Sequence, residues 1–219
     1  YVDVKLLKEF EPEKIETANI RRLPRHFHSH EHRTFADIRK IIDDSELSAA
    51  VKNKSLAIFS VIAQAEGKVH QRPADEVHFH EVGAVDSIVD VIALAVCFDN
   101  LSFCRVYVPF LCEGSGTIRS QHGILSVPVP AVANIVCEYK IPLRLTEKRG
   151  EFVTPTGVAF VAAVRTDSDI PKTFITKKIG LGAGKRAYET PSILRAFLIE
   201  ENKTDAQDRD SKKDKVLKL

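Results

Sequence analysis

The densest cluster of metal-binding and acid–base side chains is the run VHFHEVGAVDSIVD at residues 77–90. If the chain is extended at His78 and His80, both imidazoles project from one face, because side chains alternate along a strand. Glu81 and Asp86 follow within a strand-to-helix junction. Two imidazoles and two carboxylates at one junction suit a divalent metal or acid–base catalysis. The alternative is that Asp86 caps a helix and that the two histidines are structural.

A second histidine-rich stretch, HFHSHEHR, occupies residues 26–33. Its four histidines alternate with other residues and so share one side of an extended chain: His26, His28, His30 and His32. Imidazole is a borderline ligand suited to Zn, Ni, Cu and Fe, so this stretch is able to collect a metal ion without a fixed geometry. A solvated surface loop and part of a purification tag are the alternatives, and the alternation argues against a tag.

Two further segments are candidates for binding a phosphate group. Thr154 precedes a proline in a pattern typical of a helix start, where unpaired backbone N–H groups favour anions, so Thr154 and Thr156 are candidate phosphate ligands. The glycine-rich loop predicted at 180–186 ends in Lys185 and Arg186 and is also suited to cradling a phosphate. Plain helix capping and an ordinary turn between strands are the alternatives.

The elements that position these residues are predicted to be helices first and short strands later. Helical spacing and caps predict helices that begin after Thr34, near residues 46 and 85, after Pro130 and after Thr154. Alternation and turn residues predict strands at 105–109, 117–119, 174–179 and 193–200. The predicted fold class is α/β or α+β, with a mixed sheet and helices concentrated in the N-terminal half.

Composition limits the classes of protein to which the chain can belong. Of its 219 residues 44% are hydrophobic and 28% charged, with a net charge of +2, which is typical of a soluble globular protein. It shows neither a basic stripe with interleaved aromatic residues, nor an apolar run long enough for a membrane span, nor a signal peptide. The four cysteines lack CxxC spacing and are expected to be buried thiols in a reducing cytosol: Cys97, Cys104, Cys112 and Cys137.

Several stretches, in the same order, resemble the LarC family of nickel-insertion proteins. They are AEGKVH followed by VHFHEVGAVDSIVD, the histidine-rich HFHSHEHRTFADI, then QHGILSVPVPA, EFVTPTG, IGLGAGKR and ILRAFLIE. The resemblance covers residues 26–200. The family's glycine-rich N-terminal loop is not found after Tyr1-Val2-Asp3, and its C-terminal domain is expected to begin about where this sequence stops. The chain is therefore similar to the N-terminal part of the family.

The resemblance implies a cytoplasmic nickel chelatase of the lyase class. Such proteins insert Ni(II) into pyridinium-3,5-bisthiocarboxylic acid mononucleotide, using CTP and Mn(II) or Mg(II), to give the nickel pincer cofactor of lactate racemase. It also implies that the CTP site belongs to the C-terminal domain, that this part alone binds metal without turnover, and that the protein is a candidate homo-oligomer. Three zones are then expected: a basic, histidine-rich segment (1–33), a metal-handling α/β domain (34–200) and a polar linker (201–219).

The resemblance also suggests roles for the candidate residues. His78 and His80 become the leading metal ligands, and His28, His30 and His32 a delivery site. Glu81 and Asp86 are candidates for binding metal or for removing the C4 proton of the pyridinium ring. Thr154, Thr156, Lys185 and Arg186 are candidates for binding the substrate phosphate. His70 and His122 are expected to have supporting or structural roles.

Two alternatives remain at this point. A non-catalytic nickel chaperone or storage module shares the histidine features but needs no convergent site at 78–90. A metal-dependent hydrolase built on the HxHE run and Asp90 is the weaker alternative, because the sequence contains no nucleophile elbow and no complete hydrolase motif.

Overall fold

The computed structural model describes residues 33–79, 85–101, 105–184, 188 and 192–201. Within these ranges the helices are α1 (Phe35–Asp43), α2 (Ala49–His70), α3 (Val85–Leu101), α4 (Pro130–Glu138) and α5 (Pro155–Val164), with a short 3-10 helix at Ala74–Glu76. The strands are β1 (Arg33–Thr34), β2 (His78–Phe79), β3 (Leu111–Ser115), β4 (Thr117–Ser120), β5 (Gly123–Ser126), β6 (Leu143–Arg149), β7 (Phe174–Ala183) and β8 (Ile193–Glu201).

The predicted mixed fold is confirmed, with the two longest helices in the N-terminal half. In the part of the chain that the structure describes, the strands form four two-stranded sheets. β3 pairs with β6 in parallel, whereas β1–β2, β4–β5 and β7–β8 are antiparallel. The arm predicted at 117–119 is the first strand of the β4–β5 hairpin, whose two-residue turn contains His122.

Helix α1 begins at the predicted cap. The Thr34 hydroxyl accepts the backbone N–H of Asp37 at 3.2 Å, and the Asp37 carboxylate accepts the Thr34 backbone N–H at 2.8 Å. This reciprocal capping box satisfies two of the N–H groups that a helix start leaves unpaired. The bond from the Thr34 backbone is also the largest reason why the pKa of Asp37 is lowered.

Helix α2 is the central element of the core. Ser48 caps its start, and Ile58, Phe59 and Ile62 are fully buried along it. Helices α1, α3, α4 and α5 all pack against α2. The helix ends at Gln71, which adopts a left-handed conformation with φ of 54°. Helix α2 is therefore held in place by four neighbouring helices.

The loop before α5 is fixed by a buried carboxylate. Glu113 in β3 is fully buried, and its Oε1 accepts backbone N–H groups from Gly114 at 2.7 Å, Phe152 at 2.8 Å and Val153 at 3.1 Å. Gly114 is required by space, because a Cβ there would overlap the carbonyl oxygen of Gly150 and lie 2.7 Å from the Phe152 ring. Loop 150–153 is thereby held directly against strand β3.

Helix α5 has the bounds that the sequence predicts. The Thr154 hydroxyl accepts the backbone N–H of Gly157 at 3.2 Å, and Pro155 occupies the first helical position. Proline is favoured there because its fixed φ suits the helix and its missing N–H would be unpaired anyway.

Three expectations about local structure are wrong. Residues 105–109 form only a single parallel bridge, Tyr107 with Asp167, because the segment pairs with a short loop and stops at its proline. The loop predicted from 180 onwards is strand as far as Ala183, since β7 and β8 pair continuously across its glycines. The cysteines that the structure describes are exposed rather than buried: Cys97, Cys112 and Cys137.

Candidate functional site

A cleft of about 140 Å³ lies between the C-terminal part of α2, the β4–β5 hairpin and the starts of α4 and α5. Its walls are mostly apolar, and Glu66, Ser120 and His122 are its polar members. The apolar lining consists of Val69, Phe79, Ile118, Leu125, Val129, Pro130, Ala131 and Pro155. An apolar lining with a few polar groups is typical of sites for small organic ligands, although most of those sites are larger, at about 300–1,000 Å³.

Two imidazoles and a carboxylate lie together at the edge of this cleft. His70, the last residue of α2, has its Nε2 3.5 Å from Oε2 of Glu66, one helical turn earlier. The rings of His70 and His122 have centroids 5.2 Å apart, with 43° between their planes. The side chains of His70 and Glu66 are 28% and 21% exposed, but Nε2 of His70, the atom that faces Glu66, is itself buried. The ion pair and the neighbouring imidazole form a small polar group at the edge of an otherwise apolar cleft.

The residues predicted around the 78–90 junction are only partly described. His78 is exposed in β2, where it pairs with Thr34, while the neighbouring Phe79 is buried and lines the cleft. Asp86 is exposed in the first turn of α3, where its carboxylate accepts the backbone N–H of Ser87 at 2.9 Å. Asp86 is the second residue of α3, so this bond pairs one N–H group of the first turn but is not an N-cap. His80 and Glu81 lie outside the described residues.

Other predicted residues also lie outside the described residues: His26, His28, His30, His32, Lys185 and Arg186. In the ranges that the structure describes, no three His, Cys, Asp or Glu side chains converge closely enough to hold a metal ion by themselves. The assignment of His78, His80, Glu81 and Asp86 to one metal site therefore stays a prediction.

The starts of α4 and α5 both contribute to the cleft, through Pro130 and Pro155. Each helix start presents unpaired N–H groups and the positive end of the helix dipole. The Thr154 hydroxyl accepts the backbone N–H of Gly157. Thr154 therefore caps helix α5, which was the alternative to its binding a phosphate. Thr156 lies half-buried in the first turn of α5. A phosphate site there stays a prediction, carried by backbone N–H groups rather than by the Thr154 hydroxyl.

Motifs that are far apart in the sequence meet at this cleft. Glu66 comes from AEGKVH, Phe79 from the VHFHE run, His122 from QHGILSVPVPA and Pro155 from EFVTPTG. From the last two motifs of the resemblance, residues 179–183 and 193–200 lie instead in the β7–β8 ribbon, none of whose residues lines the cleft. Four of the recognised motifs therefore contribute to the cleft and two to the ribbon.

The sequence interpretation missed two carboxylates. Glu66 has a detectable signal, because a carboxylate four residues before His70 lies on the same helical face. Glu113 has none, since the amides that it binds belong to residues 39 and 40 positions later. Among the described residues, no helix is long and apolar enough to cross a membrane.

Comparison with known proteins identifies the family. A family model described as "Nickel insertion protein" matches residues 2–219. A pyridinium-3,5-bisthiocarboxylic acid mononucleotide nickel insertion protein of Alkaliphilus metalliredigens is 53% identical over 172 residues, covering 78% of this chain and 41% of the relative. Proteins of the same name from Acetivibrio thermocellus and Akkermansia muciniphila are 44% and 43% identical, covering 78% and 79% of this chain and 42% of each relative.

The chain thus spans about two fifths of the length of these curated relatives. No solved structure matches it.

Proposed function

The chain belongs to the nickel insertion protein family, and we propose that its cleft binds pyridinium-3,5-bisthiocarboxylic acid mononucleotide while nickel is inserted. The observation that carries this proposal is the meeting of four separate family-like motifs at one small cleft. The names of the relatives supply the substrate and the metal.

The chemistry of the cleft matches the parts of that substrate. Phe79 and Leu125 offer apolar walls for the flat pyridinium ring, and the starts of α4 and α5 offer N–H groups for the phosphate. The soft sulfur ligands for nickel come from the thiocarboxylates, so the protein needs to supply only nitrogen and oxygen donors. The exposed Cys97, Cys112 and Cys137 are not needed as ligands.

Insertion forms two Ni–S bonds and one Ni–C bond. The Ni–C bond replaces the C4–H bond of the ring, so one proton must leave to a base. Glu81 and Asp86 are the proposed bases, with His78 and His80 as proposed nickel ligands and His28, His30 and His32 as the delivery site. Carboxylates are suitable proton acceptors when held within hydrogen-bond reach of the reacting atom.

The remaining proposals follow from the family resemblance. We propose that the longer protein is a cytoplasmic homo-oligomer of the lyase class. It would use CTP with Mn(II) or Mg(II), and its product would be the cofactor of lactate racemase. Residues 34–200 would form its metal-handling domain, with 201–219 as the linker to the CTP-binding part. Lys185 and Arg186 are proposed as further phosphate contacts.

Calorimetry with Ni(II) tests the proposed ligands, using Zn(II) and Mn(II) for comparison and the His78→Ala/His80→Ala variant. We expect tight, near-stoichiometric nickel binding that the double variant weakens. A second titration with the bisthiocarboxylate mononucleotide should show binding to the chain. Nickel binding that survives the double variant, together with no binding of the mononucleotide, would favour the chaperone alternative.

A further inference from the structure

We propose that one face of the β7–β8 ribbon is a dimer interface, at which two copies of this chain stack their ribbons face to face. The proposal goes beyond the proposed function and does not depend on it, because the ribbon lines no part of the cleft. It gives a location and residues to the homo-oligomer that is otherwise expected only from the family resemblance.

The strand register places most of the exposed large apolar side chains of the ribbon on one side. Residues opposite each other in an antiparallel pair share a face, and the face alternates along each strand. Ile179 lies opposite Phe197, and the bulge between Thr176 and Lys178 adds one residue to β7, which keeps Phe174 on the same side. Five residues therefore form what we call the apolar face: Phe174, Ile179, Leu181, Ile193 and Phe197.

The opposite face of the ribbon is built differently. Its middle contains Gly180, Gly182 and Ala196, which have small side chains or none. Its exposed large apolar residues, Ile175 and Leu194, are separated at the two ends. Antiparallel sheets commonly have one face packed and the other in water. The distribution of side chains indicates that the apolar face is the one to be covered.

The apolar face is exposed in the part of the chain that the structure describes. Its five side chains are between 40% and 70% exposed, and a contiguous apolar patch of this kind marks an interaction site. The ribbon is attached to the folded body at both ends. The Tyr107 hydroxyl donates to Glu201 at one end, and the Tyr188 ring, from the connection between the strands, stacks on Phe152 with centroids 4.5 Å apart. The apolar face is therefore held in position, which lowers the entropic cost of binding a partner.

A second copy of the chain matches the apolar face in size and shape. With the exposed fractions above, this face offers on the order of 600 Å², so two stacked copies bury on the order of 1,200 Å², at the lower end of the range for specific dimers. In a two-fold dimer the same patch serves both copies, and two stacked sheets bury the side chains between them. The net charge of the chain is only +2, so two copies repel each other weakly.

An interface of this size is expected to associate in the micromolar range. At lower concentrations the chain is then a monomer, in which ribbon side chains contribute little to the free energy of unfolding. The dimer and the stability of the helical region are therefore measured separately, by choosing the protein concentration.

Sedimentation equilibrium of the 219-residue chain, over a wide range of concentration, tests the interface. Ile179→Glu/Leu181→Glu places two charges per copy on the apolar face. Leu194→Glu/Ala196→Glu is the matched control, because it adds the same charges at exposed positions of the opposite face. Phe197→Ala is a second variant, which shortens a side chain of the apolar face without adding charge to the strand. Circular dichroism checks that each variant is folded.

We expect the unchanged chain to approach the mass of two copies at high concentration, and the charged apolar-face variant to keep the mass of one. Phe197→Ala should weaken association by at least about tenfold, and the opposite-face control should dimerise like the unchanged chain. A chain that is monomeric at every concentration would overturn the proposal and favour cover by the rest of the longer protein. A dimer that the folded apolar-face variants do not weaken, or that the control weakens equally, would overturn it as well.

Discussion

The helices around the cleft and the β7–β8 ribbon use similar apolar residues in opposite ways. Phe59 and Ile62 in α2 are fully buried, whereas Leu181 and Leu194 in the ribbon are 70% and 74% exposed. Every residue of β7 is exposed. The difference shows that apolar content does not decide burial: an apolar face is buried only when another element covers it. Helix α2 has four such neighbours, whereas the ribbon consists of two strands paired only with each other in the part of the chain described.

This contrast predicts that the helical region supplies most of the stability of the fold and fixes the geometry of the cleft. A two-stranded ribbon is marginal by itself in water, because it lacks a face packed against a core. The cleft, in contrast, is lined by residues whose neighbours belong to the shared core. Equal substitutions in the two regions should therefore have unequal effects, and the following predictions run from the largest effect to the smallest.

Phe59→Ala should lower the free energy of unfolding by about 3–5 kcal/mol, because it removes a fully buried ring and leaves a cavity. Phe197→Ala is the matched change in the ribbon, where the ring is 50% exposed, and should cost less than about 1 kcal/mol. Urea denaturation of both variants measures the difference. Equal losses of unfolding free energy would show that another part of the protein covers the ribbon in solution. The contrast between buried helices and an exposed ribbon would then be wrong.

Glu113→Ala should cost roughly 3 kcal/mol, since three backbone N–H groups lose their acceptor in a buried place. Glu147→Ala, at an exposed position of β6, is the control and should change stability by less than about 0.5 kcal/mol. Hydrogen exchange should also show faster opening at Phe152 and Val153 in the first variant. Unchanged exchange there would contradict the role given to Glu113.

Thr154→Ala should cost about 1 kcal/mol, because the α5 start loses its side-chain cap. Thr176→Ala in the exposed ribbon serves as the matched change and should have a smaller effect on global unfolding. If the two variants have the same Tm, the cap does not stabilise the cleft-forming region.

Two exposed ion pairs, one between helices and one inside the ribbon, should give the smallest difference in stability between the two regions. Lys68 and Glu138 join α2 to α4 at 2.6 Å, and Lys177 pairs with Glu200 inside the ribbon. The lysine in each pair lowers the pKa of its glutamate below the ordinary value of 4.5. A carboxylate whose pKa is lower in the folded state stabilises the fold above its unfolded pKa, and this contribution is lost as the pH falls through its folded pKa.

Lys68→Met should therefore lower Tm slightly at pH 7 and have no effect in acid below the folded pKa of Glu138. Lys177→Met should leave global Tm unchanged at both pH values, since it joins only the two ribbon strands. NMR titration should show the pKa of Glu138 returning toward its ordinary value in the first variant. High salt should reduce the Tm difference, because both pairs are exposed.

Local signals in the sequence predicted much of the helical region. The caps at Thr34 and Thr154 act within three residues, so their hydrogen bonds can be inferred from neighbouring letters. The strand through Gly180 and Gly182 was predicted as a loop, because glycine is read as a turn residue. The paired β8 supplies the hydrogen bonds that make β7 continuous there, and that information lies ten or more residues away.

The candidate site was less predictable than the fold because it is assembled from distant segments. The sequence identifies AEGKVH, VHFHE and QHG as candidates, but nothing local shows that the His70 and His122 rings lie 5.2 Å apart. Glu113 resembles any strand carboxylate until its three amide partners are seen. Exposure of Cys97 and Cys137 likewise depends on which helical face meets a neighbour.

The close approach at Gly114 has a consequence for how the protein tolerates substitution. Any side chain there would displace the Gly150 carbonyl and the Phe152 ring, and with them the loop that leads into α5. A mutational scan should therefore record position 114 as intolerant, as severely as a position that contacts the substrate. A genetic screen for loss of function would therefore group Gly114 with the catalytic residues, although its role is only to leave room for the Gly150 carbonyl oxygen and the Phe152 ring.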